Sequence, residues 1–162
     1  MKHNNVEPSS KTILQVKRWK HKKLKVVFTN GCFDLLHVGH ITYLEKAREY
    51  GDALIVGINT DATIKRLKGK QRPIFSLKER MEILMSLRMI DAVIPFDEDT
   101  PLKLIREIKP DVLVKGGDWS LDNIVGKDDV LLYGGSVFTI PLVSGKSTTN
   151  LVNKARRAGG LS

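Results

Sequence analysis

The sequence predicts an α/β fold, with one five-stranded parallel sheet covered by helices on both faces. Short apolar, β-branched runs alternate with stretches of helical periodicity along the whole chain, an order that builds parallel crossovers rather than hairpins. A length of 162 residues suits one domain with a core of its own. At 41% hydrophobic and 28% charged residues the chain is neither disordered nor collagen-like.

Leu24–Thr29 reads as the first buried strand, followed by a loop over Asn30–Leu36. A helix is expected from His37 to Tyr50, closed by Gly51. Ala53–Ile58 is the second strand, and Lys65–Arg72 reads as a basic, glycine-bearing loop. Ser76 and Glu79 fit a capping box, with Leu77, Met81, Leu84 and Met85 on one face of the helix they open. Ala92–Phe96 is a third strand. Thr100 is expected to cap a helix that starts at Pro101 and runs to Ile108. Val112–Val114 is the fourth strand, ahead of a glycine pair. A short helix over Asp128–Tyr133 precedes a fifth strand at Val137–Ile140. Ser147 or Thr148 then caps a last helix to Arg157. The whole is a single Rossmann-like domain, whose ligands belong at the carboxyl ends of the strands.

The net charge of +9 is unevenly placed. Residues 1–25 hold eight Lys/Arg against Glu7 alone, whereas the other 137 residues hold 19 basic against 17 acidic side chains. Residues 1–23 therefore read as a basic N-terminal extension, expected as a helix with a solvated face, and residues 24–162 as the domain proper. Neither an aromatic-rich RNA-binding strand nor zinc-finger spacing supports a nucleic-acid partner. The apolar runs are far below the roughly 20 residues that span a bilayer. With no apolar stretch behind the N-terminus and with Cys32 as the single cysteine, a cytoplasmic location is expected.

The densest chemical signal is Thr29-Asn-Gly-Cys-Phe-Asp-Leu-Leu-His-Val-Gly-His40. His37 and His40 share a face of a nascent helix, and Gly39 between them lets a bulky group approach. Free N–H groups and the helix dipole make this an anion site, so phosphate contact is the favoured reading. Metal ligation with Asp34 and a capping or core role are the alternatives. Cys32 has no histidine–acid arrangement to activate it and reads as a small buried filler. Val143–Thr149 resembles a P-loop but fails, since Ile140 stands where that pattern needs glycine. What remains is a run of hydroxyls at a helix start, either capping or cradling a second phosphate.

These segments resemble the cytidylyltransferase-like nucleotidyltransferases, which carry His-x-Gly-His after the first strand and Ser-Thr-Thr at a late helix start. The resemblance is narrower still. Asn30–His40, Asn59-Thr-Asp61, Arg66-Leu-Lys-Gly69, Arg72-Pro73, Glu98-Asp-Thr-Pro101, Val114-Lys-Gly-Gly-Asp-Trp119 and Ser147-Thr-Thr-Asn150 are similar, in order, to the adenylyltransferase domain of the ADP-heptose synthases. The sugar-kinase domain fused to it in bifunctional members is not present in these residues.

The resemblance implies a nucleotidyltransferase domain that joins ATP to D-glycero-β-D-manno-heptose 1-phosphate, giving ADP-heptose and pyrophosphate for lipopolysaccharide cores. It implies His37, His40, Lys68 and Arg72 as the catalytic set, with Lys70 an alternative to Lys68. Thr29, Asn30, Gly31, Cys32, Phe33, Gly39, Gly116, Gly117, Asp118, Ser147, Thr148 and Thr149 would border the nucleotide, and Asp34, Asp61 and Trp119 would face the sugar. Arg80 matches a family arginine with either a site or a packing role. Mg²⁺ is expected to ride on the ATP phosphates, with no metal ligands in the protein, and a homodimer is implied. Relatives that use CTP with glycerol 3-phosphate carry Arg-Thr-Glu-Gly where this chain has Leu142-Val-Ser-Gly145. That departure favours ATP, leaving CTP transfer to a polyol phosphate as the rival chemistry. A nucleic-acid-binding module and a non-catalytic nucleotide sensor are the rivals from other classes.

Overall fold

The computed structural model describes residues 10–117 and 120–141, with Val152, Lys154 and Arg157 as single helical positions. Five parallel strands, β1 (Val26–Gly31), β2 (Ala53–Asn59), β3 (Ala92–Phe96), β4 (Val112–Gly116) and β5 (Ser136–Ile140), lie in the order β3-β2-β1-β4-β5. The chain winds outward from β1 to β3, then crosses back to lay β4 on the other flank of β1. That reversal opens a crevice between the carboxyl ends of β1 and β4. Register is fixed by pairs such as Val26 with Ala53, Phe28 with Leu113 and Val114 with Phe138.

Alternation along the strands feeds two cores. Val27, Leu54, Val56 and Val114 face α2 (Val38–Arg48) and α4 (Leu77–Met85), which bury Leu44, Ala47 and Leu84 there. Val26, Phe28, Ile55 and Leu113 face the other way, toward α1 (Ser10–His21), α5 (Leu102–Ile108) and α6 (Lys127–Leu132). Helices on both faces explain why the central strands are apolar throughout rather than alternating. The basic N-terminal segment takes part in this packing: α1 buries Ile13 and Val16 beside Leu104, Ile105 and Ile108, and keeps its lysines outside.

Two boundaries differ from the sequence reading for physical reasons. The expected loop over Lys65–Arg72 is half helix, since α3 spans Asp61–Lys68. The Thr60 hydroxyl accepts from the Thr63 N–H, Thr63 and Ile64 are buried, and Gly69 at φ 96 stops the helix. Pro101, expected as the first helical residue after a Thr100 cap, is itself the N-cap of α5. The capping box at Ser76 and Glu79 is present as expected.

Candidate active site

The carboxyl end of β1 runs into a loop bent by Phe33 and Leu35, both at positive φ (47° and 53°). The bend brings the chain to the start of α2, with His37 at the N-cap and Gly39 buried in the first turn. The Phe33 ring leans on His40, centroids 5.6 Å apart, and the two imidazoles stack at 3.9 Å. His40 Nδ1 accepts from the His37 backbone N–H at 3.3 Å. Burial, then the nearby His37 and Lys68 charges, push the His40 pKa down to about 4. A neutral imidazole whose Nδ1 is an acceptor carries its proton on Nε2. His40 is thus both a cap for the helix and a hydrogen-bond donor at its N-terminus.

Two adjoining clefts open here, sharing Asn30, Gly31, Cys32, Lys68 and Lys115 as a common wall. The smaller, about 290 Å³, adds Phe33, Asp34, His40, Tyr43, Arg72 and Gly116. The larger, about 440 Å³, runs toward Asn59, Asp99, Thr100 and Asn123, with Leu67, Leu113 and Ile124 among its apolar lining. Of the lysines that the sequence left open, Lys68 at the end of α3 lines both clefts, and Lys70 lines neither. Cys32, expected as a buried filler, is half-buried on the shared wall, with Sγ 3.7 Å from Asn59 Oδ1.

Two arginines shape the site from behind. Arg80 has no exposed side-chain surface and donates to the carbonyls of Cys32 (2.7 Å), Asn59 (3.0 Å) and Phe75 (3.1 Å) and to Asp61 Oδ1 (2.6 Å). It clasps the ends of β1 and β2, the segment before α4 and the start of α3. Arg72 donates through Nε to the buried Asp34 at 2.7 Å. Asp34 also accepts from the backbone N–H groups of Ile74 and Phe75. Burial opposes its ionisation, but those two N–H donors and Arg72 outweigh it and hold the carboxyl below its ordinary value.

Asp34 and Asp61, expected to face a sugar, are therefore engaged with Arg72 and Arg80, and Asp61 lines neither cleft. Thr29 is fully buried. Its hydroxyl meets Tyr43 Oη at 2.5 Å, and Tyr43 donates on to the Val114 carbonyl, so the side chain ties β1 to α2 and β4. Gly117, at φ 111, donates its N–H to the Ile140 carbonyl. Asp118, Trp119, Ser147, Thr148 and Thr149 lie outside the described residues.

Lys115, at the end of β4, was quoted in the sequence only as part of a motif. It is partly buried on the wall between the clefts and donates to Asn30 Oδ1 at 3.2 Å. Burial lowers its pKa, and among the described residues no carboxylate lies within ion-pair distance. Its place at a strand's carboxyl end, one residue before Gly116, was the signal that could have found it. Asp99, Thr100 and Pro101, part of the Glu98–Pro101 motif segment and the expected start of a helix, edge the larger cleft.

Among the described residues no group of three or more His, Cys, Asp or Glu side chains is placed to hold a metal. The carboxylates that edge the clefts, Asp34 and Asp99, pair with Arg72 and Arg66. The donors present suit phosphate instead: helix N–H groups, a neutral imidazole and two lysines.

A doubly wound sheet with this donor set at its switch point defines a nucleotide-handling α/β protein. The chain belongs to the cytidylyltransferase-like family, whose model matches residues 28–138, and is a nucleotidyltransferase. It is 56% identical over 141 residues to the bifunctional protein HldE of Geobacter metallireducens, covering 87% of this chain. It is 57% identical over 136 residues to that of Geobacter sulfurreducens, covering 84%. The chain spans only 29% and 28% of the length of those two relatives. Among solved structures, a lipopolysaccharide core biosynthesis protein from Thermoplasma volcanium is 30% identical with a TM-score of 0.61, over 76% of this chain and 99% of that one. Pantoate-beta-alanine ligase from Francisella tularensis, at 20% identity and a TM-score of 0.57 over 93% of this chain and 78% of that one, shares the fold.

Proposed function

We propose that this chain transfers the adenylyl group of ATP to D-glycero-β-D-manno-heptose 1-phosphate, releasing pyrophosphate and forming ADP-heptose for lipopolysaccharide cores. The observation that carries the reading is the pair of clefts meeting along one wall with Lys68 and Lys115 on it. That arrangement suits two phosphorylated substrates whose phosphates must converge. The identity of the substrates is supported by the seven motif segments and by the lipopolysaccharide relative from Thermoplasma.

An oxygen of the sugar phosphate attacks the α-phosphorus of ATP, and the bond to the departing pyrophosphate breaks. The attacking group is already an anion, so no protein nucleophile or strong base is needed. The protein aligns the two phosphates, a contribution worth about 7–11 kcal/mol of barrier in well-oriented reactions, and stabilises charge that builds on the phosphates. The backbone of Thr29–Phe33 and the amide end of α2, opened by Gly39, cradle the nucleotide. His40 donates through Nε2–H, and His37, stacked against it, completes the pair. Lys68 sets positive charge against the phosphates, and Arg72 holds the rim through Asp34. Gly116 and Gly117 border the nucleotide, and the family resemblance assigns nucleotide binding to Asp118, Ser147, Thr148 and Thr149 as well and sugar binding to Trp119. Mg²⁺ arrives on ATP. The same reading carries a cytoplasmic homodimer. No helix among the described residues is long and apolar enough to cross a membrane.

Pyrophosphate release with Mg²⁺ tests the reading, crossing ATP and CTP against heptose 1-phosphate, hexose 1-phosphates and glycerol 3-phosphate. Release confined to ATP with heptose 1-phosphate is expected. Release with CTP and glycerol 3-phosphate would establish the rival transfer, and ATP binding without release from any pair would make the domain a sensor.

A further inference from the structure

Resting on that reading, we propose that Lys115 anchors the phosphate of the acceptor, and that the larger cleft beyond it receives the acceptor's polyhydroxylated body. The two clefts differ in what they offer a ligand. The smaller has the start of α2, His40 and Arg72, which suit a polyanionic chain of phosphates. The larger has uncharged hydrogen-bonding side chains at Asn59, Thr100 and Asn123 above an apolar floor. Such a lining suits hydroxyls over the carbon faces of a sugar.

Transfer requires the acceptor's phosphate to lie within about 3–3.5 Å of the α-phosphorus. An acceptor seated in the larger cleft must therefore present its phosphate at the wall that both clefts share. The cations on that wall, among the described residues, are Lys68 and Lys115. Lys68 is exposed at the end of α3, and its charge bears on His40, which sets it on the nucleotide's side. Lys115 sits instead against the Asn30 amide oxygen on the floor of the wall. Asn30 orients the ammonium without neutralising it. A partly buried lysine held by an amide, with no carboxylate beside it among the described residues, is placed to take an incoming anion as its partner.

Steady-state kinetics on the full chain separate the two substrates. The acceptor is whichever of heptose 1-phosphate, hexose 1-phosphates and glycerol 3-phosphate supports pyrophosphate release. In Lys115→Met the KM for the acceptor is expected to rise at least about tenfold, the size of one lost charge-assisted contact, with the KM for ATP within about threefold of wild type. Lys115→Arg restores the charge and recovers most of the loss. Where Lys115→Met folds poorly, Lys115→Gln gives the same readout, removing the charge while keeping a hydrogen-bond donor beside Asn30. A rise in the KM for ATP with the acceptor's unchanged, equal rises in both, or a Lys115→Arg no better than Lys115→Met overturns the assignment. Release with glycerol 3-phosphate alone would sink the heptose reading while Lys115 is still judged on that acceptor. Release with heptose 1-phosphate and no split in KM would sink Lys115 and leave the heptose reading standing.

Discussion

At the amino edge of the sheet, aspartates take up strand N–H groups that the ladder leaves unpaired. Asp52 accepts from Lys25, Asp111 from Val26 and Asp91 from Leu54, each at 2.8 Å. Cations sit behind two of these acids, Lys20 beside Asp111 at 3.4 Å and Arg48 beside Asp91 at 3.3 Å. At the carboxyl edge the strands end in carbonyls, and Arg80 does there what the aspartates do at the other edge. Beyond Arg80 and Arg72 the symmetry stops. Among the described residues His40, Lys68 and Lys115 have no carboxylate within ion-pair distance, although all three line the clefts. Charges that build the fold carry their partners with them, whereas the neutral His40 and the cations Lys68 and Lys115 line the clefts without a carboxylate partner among the described residues. The difference between the edges thus separates scaffold from site without reference to any ligand.

The largest test of that division falls on Arg80, which belongs to the scaffold while standing in the site's wall. Arg80→Met removes the donor for three carbonyls and strands the Asp61 carboxylate. A loss of about 3–5 kcal/mol of stability is expected, chiefly from three main-chain carbonyls losing a charged donor, since Asp61 is itself partly exposed. Denaturant unfolding reads it directly. If stability held and only catalysis fell, Arg80 would belong with the anion-binding cations and the division would fail.

His40 is the converse case. His40→Ala is expected to lower kcat by about 10²–10³, as loss of an oxyanion-type donor does, with far less effect on unfolding. Its titration adds a second reading. With a folded pKa of about 4 against an ordinary 6.5, the unfolded chain takes up a proton at this residue between those values and the folded one does not. Stability should therefore fall as pH drops from 6.5 toward 4, and this contribution should level off below 4. His40→Asn should flatten that part of the profile. A wild-type curve unchanged by the substitution would mean that His40 is not held neutral by its surroundings.

How much of this was legible in the sequence follows the same line. Strands buried on both faces announced themselves as unbroken apolar runs, and the capping box at Ser76 and Glu79 is a local pattern that needs nothing distant. The start of α2 with its histidines was legible because one short segment carries the whole arrangement. The roles of Arg80 and Asp34 were not, because their partners are main-chain groups from distant segments, and a backbone carbonyl or N–H leaves no mark in a sequence. Helix α3 was hidden by its basic, polar surface. What fixes it is the Thr60 cap and the burial of Thr63 and Ile64, with Thr60 and Thr63 both bonded to Asp97. Lys115 escaped because a lysine among glycines reads as a solvated turn until β4 is placed beside β1.

The finest test compares two lysines two residues apart. Lys68 lines both clefts and its charge bears on His40, whereas Lys70, past the Gly69 turn, lines neither. Both are exposed, so neither substitution should change stability by more than about 0.5 kcal/mol. Lys68→Ala is expected to raise the KM for ATP about threefold to tenfold, the scale of one exposed charge acting on a phosphate at close range. Lys70→Ala should stay within about twofold of wild type. Equal effects from the two would mean that the basic segment acts as a diffuse field that draws substrate in. In that case the loss would fade together for both as salt is raised past about 0.15 M, where the Debye length is about 8 Å. A loss at Lys68 that outlasts added salt marks a contact, and places the line between scaffold and site within a single turn of chain.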